Sequence, residues 1–371
     1  MQFSVEKSVL HEAIQQVAKV APARSTLPIL NCILFTAAEN SLALLTTDLE
    51  ITMQTSIPIM TEQEGAVAIP ARFISDITSE LPETSLQFSM REGFQVELIT
   101  EFGDYNIAGK DPEEFPAIPT MDEQQTVVVE NAILHRLIDK TSFAVSKDEL
   151  KPALTGVLFQ FSADKINAVA TDGHRLSKCV RTDVEPLSYE GDVIIPTKFL
   201  NIVSSNLDLD GETNLQVGEN HVKIEFDTSV IYTRIINERF PDYESVIPSD
   251  NDKLAVMNID RVLSTLKRVN IFANRSTHQV VFNFNTDKLQ VSTENAENNS
   301  SAQEELEIEY TAENLTLGYN ASYVMDILRH LDTEEAIVKM KSPISASLIF
   351  PTDQQPDEDI TMLLMPIRLK D

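Results

Sequence analysis

The chain has 371 residues, 42% of them hydrophobic, which is enough for about two to four ordinary cores and too much for one small one. A formal net charge of −29, from 58 acidic and 29 basic residues, argues on its face against a protein that grips phosphates. No stretch approaches the roughly 20 apolar residues of a membrane helix, residues 1–10 carry charge where a signal peptide would be apolar, and Cys32 and Cys179 stand far apart with no CxxC spacing, so a soluble cytoplasmic protein with no disulfide framework or zinc site is expected.

Taken from the N-terminus, a first helix is predicted over residues 7–20, where Val9, Leu10, Ala13, Ile14 and Val17 recur at spacings of three and four on one face. Cys32 then reads as a buried small hydrophobe, as does Cys179 later. A second helix follows over 71–80. Phe115-Pro-Ala-Ile-Pro119 closes this stretch as a linker. Further helices are predicted over 131–141, striped by Ile133, Leu134, Leu137 and Ile138, over 197–206, over 259–270, striped by Val262, Leu263 and Leu266, and over 321–330. The runs 157–161, 165–170 and 280–284, rich in β-branched and aromatic residues, read as antiparallel strands. Phe240-Pro-Asp-Tyr-Glu-Ser-Val-Ile-Pro248 makes a second proline-bearing linker.

The order of these elements repeats. Ala68-Ile-Pro-Ala-Arg-Phe-Ile74 returns as Ile194-Ile-Pro-Thr-Lys-Phe-Leu200 and more faintly as Gly318-Tyr-Asn-Ala-Ser-Tyr-Val324, at spacings of 126 and 124 residues. Ser4-Val-Glu-Lys-Ser-Val-Leu10 answers Val128-Val-Glu-Asn-Ala-Ile-Leu134 and Met257-Asn-Ile-Asp-Arg-Val-Leu263. Thr47-Asp-Leu-Glu50 answers Thr171-Asp-Gly-His174 and Thr293-Glu-Asn-Ala296. Three tandem α+β repeats follow, each two helices packed on antiparallel sheets, with expected bounds 1–122, 123–252 and 253–371.

Charge is unevenly spread over this pattern. The six predicted helices hold ten basic residues against six acidic, leaving 19 against 52 for everything else. A surface basic where the helices point and acidic elsewhere would admit a polyanion on one side only. A domain of about 124 residues is roughly 35 Å across, and six in a ring leave a hole of roughly 35 Å, wide enough for a duplex, where three would not. Two copies of a three-repeat chain joined head to tail supply the six. Such a ring holds DNA by topology and needs no strong phosphate affinity.

At this point the residues resemble a known family, the bacterial DNA polymerase III β subunit, or β sliding clamp. Thr171-Asp-Gly-His-Arg-Leu176, Phe240-Pro-Asp-Tyr243 and Leu364-Met-Pro-Ile-Arg-Leu369 carry the resemblance, supported by Arg24-Ser-Thr-Leu-Pro-Ile-Leu30. It covers the whole chain. It implies a homodimeric ring of six clamp domains that encircles double-stranded DNA without sequence specificity and tethers the replicative polymerase. It further implies an ATP-driven clamp loader, and docking of repair polymerases or mismatch-repair proteins through short linear motifs.

The resemblance also places sites. A partner-peptide pocket is expected from Leu154, Thr171, Gly173, His174, Arg175, Leu176, Pro241, Val246, Met365, Pro366, Ile367 and Arg368, with Ile344 and Ala346 beside them. Its apolar floor would take aliphatic and aromatic side chains, while arginine, threonine and histidine at the rim offer hydrogen bonds. Without the resemblance, the segment 362–367 would read as a last core strand. DNA contacts are expected from Arg24, Arg72, Lys147, Lys151 and Lys198. Members often have aromatic residues just before the leucine matching Leu154, where Pro152 and Ala153 stand here. The dimer seam would have an apolar core of Tyr105, Ile107, Ile271 and Phe272, with strands pairing edge to edge. A known member carries basic residues where this chain has Phe102 and Asp104, opposite acids matched by Glu304 and Glu305. That departure sets Asp104 against acid and predicts a looser or more salt-tolerant dimer.

Two other classes compete. An enzyme would start from Asp172 and His174, with Asp48 or His278, but no second ligand set, P-loop, nucleophile elbow or glycine-rich cradle accompanies them, and ten glycines in the whole chain leave little for nucleotide-binding loops. No catalytic residue, metal or cofactor is expected. An acidic scaffold that never touches DNA would explain the net charge and the pocket but not the basic helices.

Overall fold

The computed structural model describes residues 1–121, 124–226 and 228–369. Six α-helices form among them: α1 Lys7–Val17, α2 Ala71–Glu80, α3 Asn131–Thr141, α4 Thr197–Ser204, α5 Ile259–Val269 and α6 Ala321–Arg329. Each sits where the apolar spacing put it. The amphipathic stripe explains why: α1 buries Leu10, Ala13, Ile14 and Val17, and α5 buries Ile259, Val262, Thr265, Leu266 and Val269. Each fully buried aliphatic side chain of this kind contributes about 1.5–3 kcal/mol. Asn258 and Asn320 start α5 and α6 by accepting backbone N–H bonds from Arg261 and from Ser322 and Tyr323. α1 and α4 stop short of the predicted 20 and 206, at Val17 and Ser204.

The strands pair antiparallel in four sheets, and the chain divides into two compact units. The first unit, Met1–Val129 with Ser205–Ile235, holds a five-stranded sheet ending in the outer strand Gly103–Ala108, and an eight-stranded sheet. In the latter, Ile51–Pro58 pairs with Ser229–Arg234. The second unit, Glu130–Ser204 with Ile236–Asp371, holds a nine-stranded sheet and a four-stranded one whose outer strand is Ser300–Glu307. Here Arg175–Arg181 pairs with Glu358–Leu364. The second sequence repeat is thus shared between the two units, through a strand pairing of the same kind in each. Of the expected repeat bounds, 252 falls just before the strand Lys253–Asn258, and 122 and 123 lie outside the described residues.

Cys32 and Cys179 are both buried and free. No helix among the described residues is long and apolar enough to cross a membrane. One element departs from the repeat pattern. The strand Lys288–Asn295 runs through Thr293 and pairs Asn295 with Ser300, so the third counterpart of Thr47–Glu50 does not form the turn that Thr171 heads.

Candidate peptide-docking site

The site is built on the turn 171–175, between the strands Lys165–Thr171 and Arg175–Arg181. Thr171 Oγ1 donates to the carbonyl of Arg175 (2.6 Å) and accepts from Gly173 N (3.1 Å), while Asp172 Oδ1 accepts from His174 N (2.8 Å) and Arg175 N (3.0 Å). These side-chain bonds are what Thr-Asp at the head of a turn provides. Gly173 takes φ +87°, and a Cβ there would meet nothing within 4 Å. The turn therefore leaves its outer side open.

Three other segments close on it. Leu154 ends the 3₁₀ turn Pro152–Leu154; Pro241 to Val246 brings a second short turn; Leu363 and Met365 come from the C-terminal strand and the residue just past it. Together with Asp242 and Tyr243 they line a cavity of about 350 Å³. Its floor is the cluster of Leu158, Val169, Leu176, Ile194, Tyr243, Ala346, Leu348 and Leu363. Val246 is 54% exposed and Met365 39%, so the mouth presents apolar surface to solvent. Tyr243 fixes its segment: its hydroxyl donates to Gln160 Oε1 (2.7 Å) and accepts from Asn167 Nδ2 (2.8 Å), and burial pushes its pKa up. The C-terminal wall is tied down by Met365 N to the carbonyl of His174 and Ile367 N to that of Gly318, both 2.8 Å. Gly318 permits this approach, since a Cβ there would lie 2.7 Å from the Ile367 carbonyl oxygen.

Of the residues expected here, Leu154, Thr171, Gly173, His174, Arg175, Leu176, Pro241, Val246 and Met365 line this cavity. Ala346 lies beneath it in the floor cluster. Pro366 and Ile367 instead line a neighbouring cavity with His174, Asn320 and Tyr323. Ile344 (65% exposed) and Arg368 are exposed and line neither cavity. Asp242, Tyr243 and Leu363 were not singled out, although two fall within Phe240-Pro-Asp-Tyr243 and the third sits beside the C-terminal motif.

The rim differs from expectation in two of its three polar residues. Thr171 has its hydroxyl committed to the turn. Arg175 is buried, and its guanidinium bonds Asp172 (3.1 Å), Asp326 (2.8 Å) and the Phe143 carbonyl (2.7 Å), with its carbon 4.5 Å from the Tyr323 ring centre. Inward hydrogen bonds satisfy it better than solvent would, so His174 alone of the three keeps an exposed side chain at the mouth.

Arg24, Lys147, Lys151 and Lys198 are exposed, and Arg72, 91% exposed, makes only a loose 3.6 Å pair with Asp76. Lys147 and Lys151 border a polar cavity of about 510 Å³ with Asp148, Asp172 and Asp326. Two of the ten helical cations are committed to partners: Lys140 is 1% exposed, and the half-buried Arg136 pairs with Glu358 and Asp332. At the expected seam Ile271 is 77% and Phe272 41% exposed, and Tyr105 is half-buried. Ile107 is only 9% exposed, so it is not displayed there; Phe102, at 54%, is.

The fold and site together define a class: a tandem α+β repeat protein with an open apolar groove and, among the described residues, no group of three or more His, Cys, Asp or Glu that could hold a metal ion. Residues 1–119, 128–242 and 244–368 match in turn the N-terminal, central and C-terminal domains of the DNA polymerase III beta subunit. The chain belongs to that family, the sliding clamps. It is 28% identical over 371 residues to the beta sliding clamp of Pseudomonas aeruginosa, covering all of both. Crystal structures of the Pseudomonas aeruginosa and Bartonella birtlesii clamps, each bound to griselimycin, superimpose over the full length of both chains with TM-scores of 0.90 and 0.92 at 27% and 26% identity.

Proposed function

We infer that two copies of the chain, each contributing three domains at 1–122, 123–252 and 253–371, close head to tail into a ring that encircles duplex DNA and tethers the replicative polymerase. The groove docks short linear motifs of that polymerase, of an ATP-driven clamp loader, and of repair polymerases or mismatch-repair proteins. The observation that carries this reading is the open apolar groove at the meeting of Leu154, Pro241, Val246 and Met365, whose exposed apolar mouth fits the anchor side chains of an extended peptide. Two relatives of this fold bind griselimycin, and we take this groove as the place where this chain would bind it. Arg24, Arg72, Lys147, Lys151 and Lys198 meet the DNA backbone. The protein acts in the cytoplasm and performs no catalytic step of its own, so incubation with DNA and a divalent metal leaves the DNA intact; cleavage lost in His174→Ala would overturn that.

For closure, Gly103–Ala108 of one copy pairs edge to edge with Ser300–Glu307 of the other, around Tyr105, Ile271, Phe272 and Phe102. Glu304 is already held by Arg268 at 2.6–2.7 Å and Glu305 by Lys288 at 2.7 Å. Asp104 then faces acids neutralised within their own chain, and the seam rests on apolar contact. Its dissociation constant, measured by sedimentation, should change by less than about threefold between low and high salt; tenfold tightening at low salt contradicts this.

The ring itself is tested on a nicked circular plasmid, loaded with bacterial extract and ATP. Protein retained on circles in high salt should run off once the plasmid is cut; retention on the linear form would make it an ordinary DNA binder. The acidic-scaffold reading gains from the burial of Lys140 and the pairing of Arg136, and is separated by replacing Arg24, Arg72 and Lys198 with alanine. Loading should fail, whereas a scaffold would be unaffected.

A further inference from the structure

Two residues that line the groove, Leu176 and Leu363, lie opposite each other on one strand pair. Arg175–Arg181 and Glu358–Leu364 run in register from Arg175 opposite Leu364 and Leu176 opposite Leu363 to Arg181 opposite Glu358. Leu176 and Leu363 face the groove. Alternate positions face the other way, and there Ser177 Oγ donates to the Lys140 carbonyl of α3. At the far end of that second face, about 20 Å along the strands from the groove, lies a charge cluster that docking does not use.

The Glu358 carboxylate, 1% exposed, accepts from Arg136 Nε and Nη2 at 2.7 Å each and from Arg181 Nη1 at 3.3 Å. Asp332 accepts from Lys140 Nζ at 2.8 Å and pairs with Arg136. Asp139 and Asp183 complete the set beside Lys140 and Arg181. The three cations come from α3 and the Arg175–Arg181 strand; the two central anions come from the C-terminal strand and the residues after α6. Arg181–Glu358 joins the two strands directly, and the Arg136 and Lys140 pairs tie α3 to the C-terminal strand and to the residues after α6.

We propose that this cluster is a latch that seats the C-terminal strand on its neighbour and so holds Leu363 and Met365 in place as the groove's second wall. Arg136, Lys140, Arg181, Asp332 and Glu358 are then positioning residues for partner docking. The proposal rests on reading the groove as a docking site. Removing one member leaves buried charges without partners, which disrupts far more than losing an exposed pair. A slip of one residue at this seam would carry Leu363 off the groove face altogether. A ligand that needs both walls binds only the seated state, so docking and latch are linked: each strengthens the other by the same factor.

The molecule carries its own reporter. Cys179, opposite Ile360 in this strand pair, is wholly buried, and burial, reinforced by nearby Glu358, pushes its thiol up to about 12. It lies on the face that α3 covers, so it reacts only when the packing that the cluster ties down, of α3 and the C-terminal strand on this strand, opens. Cys32, buried in the other unit, is the control. Alkylation of the full chain with iodoacetamide, followed by mass spectrometry of the two cysteine peptides, is combined with griselimycin titration. Glu358→Gln should raise Cys179 labelling at least about tenfold with Cys32 unchanged, and should weaken griselimycin only in proportion to the seated fraction lost. Griselimycin should slow Cys179 labelling in the parent. If Glu358→Gln does not fold, Arg181→Met, which keeps the Arg136–Glu358 pair, is read in the same way. A parent that binds, with a variant whose Cys179 is labelled no faster than the parent's, overturns the latch alone. A parent that does not bind overturns the docking reading and the latch with it.

Discussion

Two turns in this molecule are made the same way and serve different ends. In the turn 47–51, Thr47 Oγ1 donates to the Ile51 carbonyl (2.9 Å) and accepts from Leu49 N (3.0 Å), and Asp48 Oδ1 accepts from Glu50 N (3.1 Å) and Ile51 N (2.7 Å). The turn 171–175 repeats this bond for bond. Both third residues are left-handed, Leu49 at φ +79° and Gly173 at +87°. Yet the leucine that flanks the first turn's region, Leu30, is sealed at 3% exposure in a cluster with Phe115, while Leu154 opens into the groove. A repeated turn is thus a scaffold; the groove comes from glycine at its tip and from the 241–246 and 363–365 segments beside it.

The comparison can be broken hardest at the last turn residue, where one repeat has Ile51 and the other Arg175. Arg175→Ala strands Asp172 and Asp326 in a largely buried site and should destabilise by about 3–5 kcal/mol in urea unfolding. Ile51→Ala leaves only a cavity and should cost about 2–5 kcal/mol; a negligible loss for Arg175→Ala would mean its pairs are not structural. Next in size, Met365→Glu sets a charge against the apolar floor and should weaken griselimycin binding by about 30- to 100-fold, a loss of roughly 2–3 kcal/mol, with Leu49→Glu as a change that leaves binding alone. Equal binding by the two variants would remove the groove from consideration.

The tips themselves offer a smaller swap. Leu49→Gly should stabilise by about 1 kcal/mol, because leucine in the left-handed region is strained, and Gly173→Ala should destabilise by about the same amount. Melting shifts of the same sign would show that tip conformation is not the difference. Smallest is an acid effect confined to the second unit. The hydrogen bond from Arg181 holds Asp183 below its ordinary 3.8. Its folded pKa lies below the unfolded one, so its contribution is present above the unfolded value and lost as pH falls through the folded one. Unfolding followed from pH 5 down to 3 should lose this part only at the acid end, and Asp183→Asn should flatten it.

Much of this was legible before any coordinates. The helices follow spacings of three and four, which are written within a few neighbouring residues, and the threefold repeat announced a tandem fold because it is written in the sequence itself. The groove's outline came from motifs quoted whole, though Tyr243 and Leu363 inside or beside those motifs were passed over for lack of an exposed-looking chemistry.

What tertiary structure decided is the direction in which charges turn. Arg175 reads from its motif as a rim donor and is instead buried; Arg136 and Lys140 read as part of a basic helical surface and instead meet Glu358 and Asp332, the former a partner 222 residues away along the chain. Ile107 reads as a seam residue and is buried. Sequence spacing encodes which face a residue lies on, since that depends only on backbone period. It does not encode which distant segment will arrive opposite that face, and a charged side chain goes wherever desolvation is repaid by partners, which only the assembled sheet can supply.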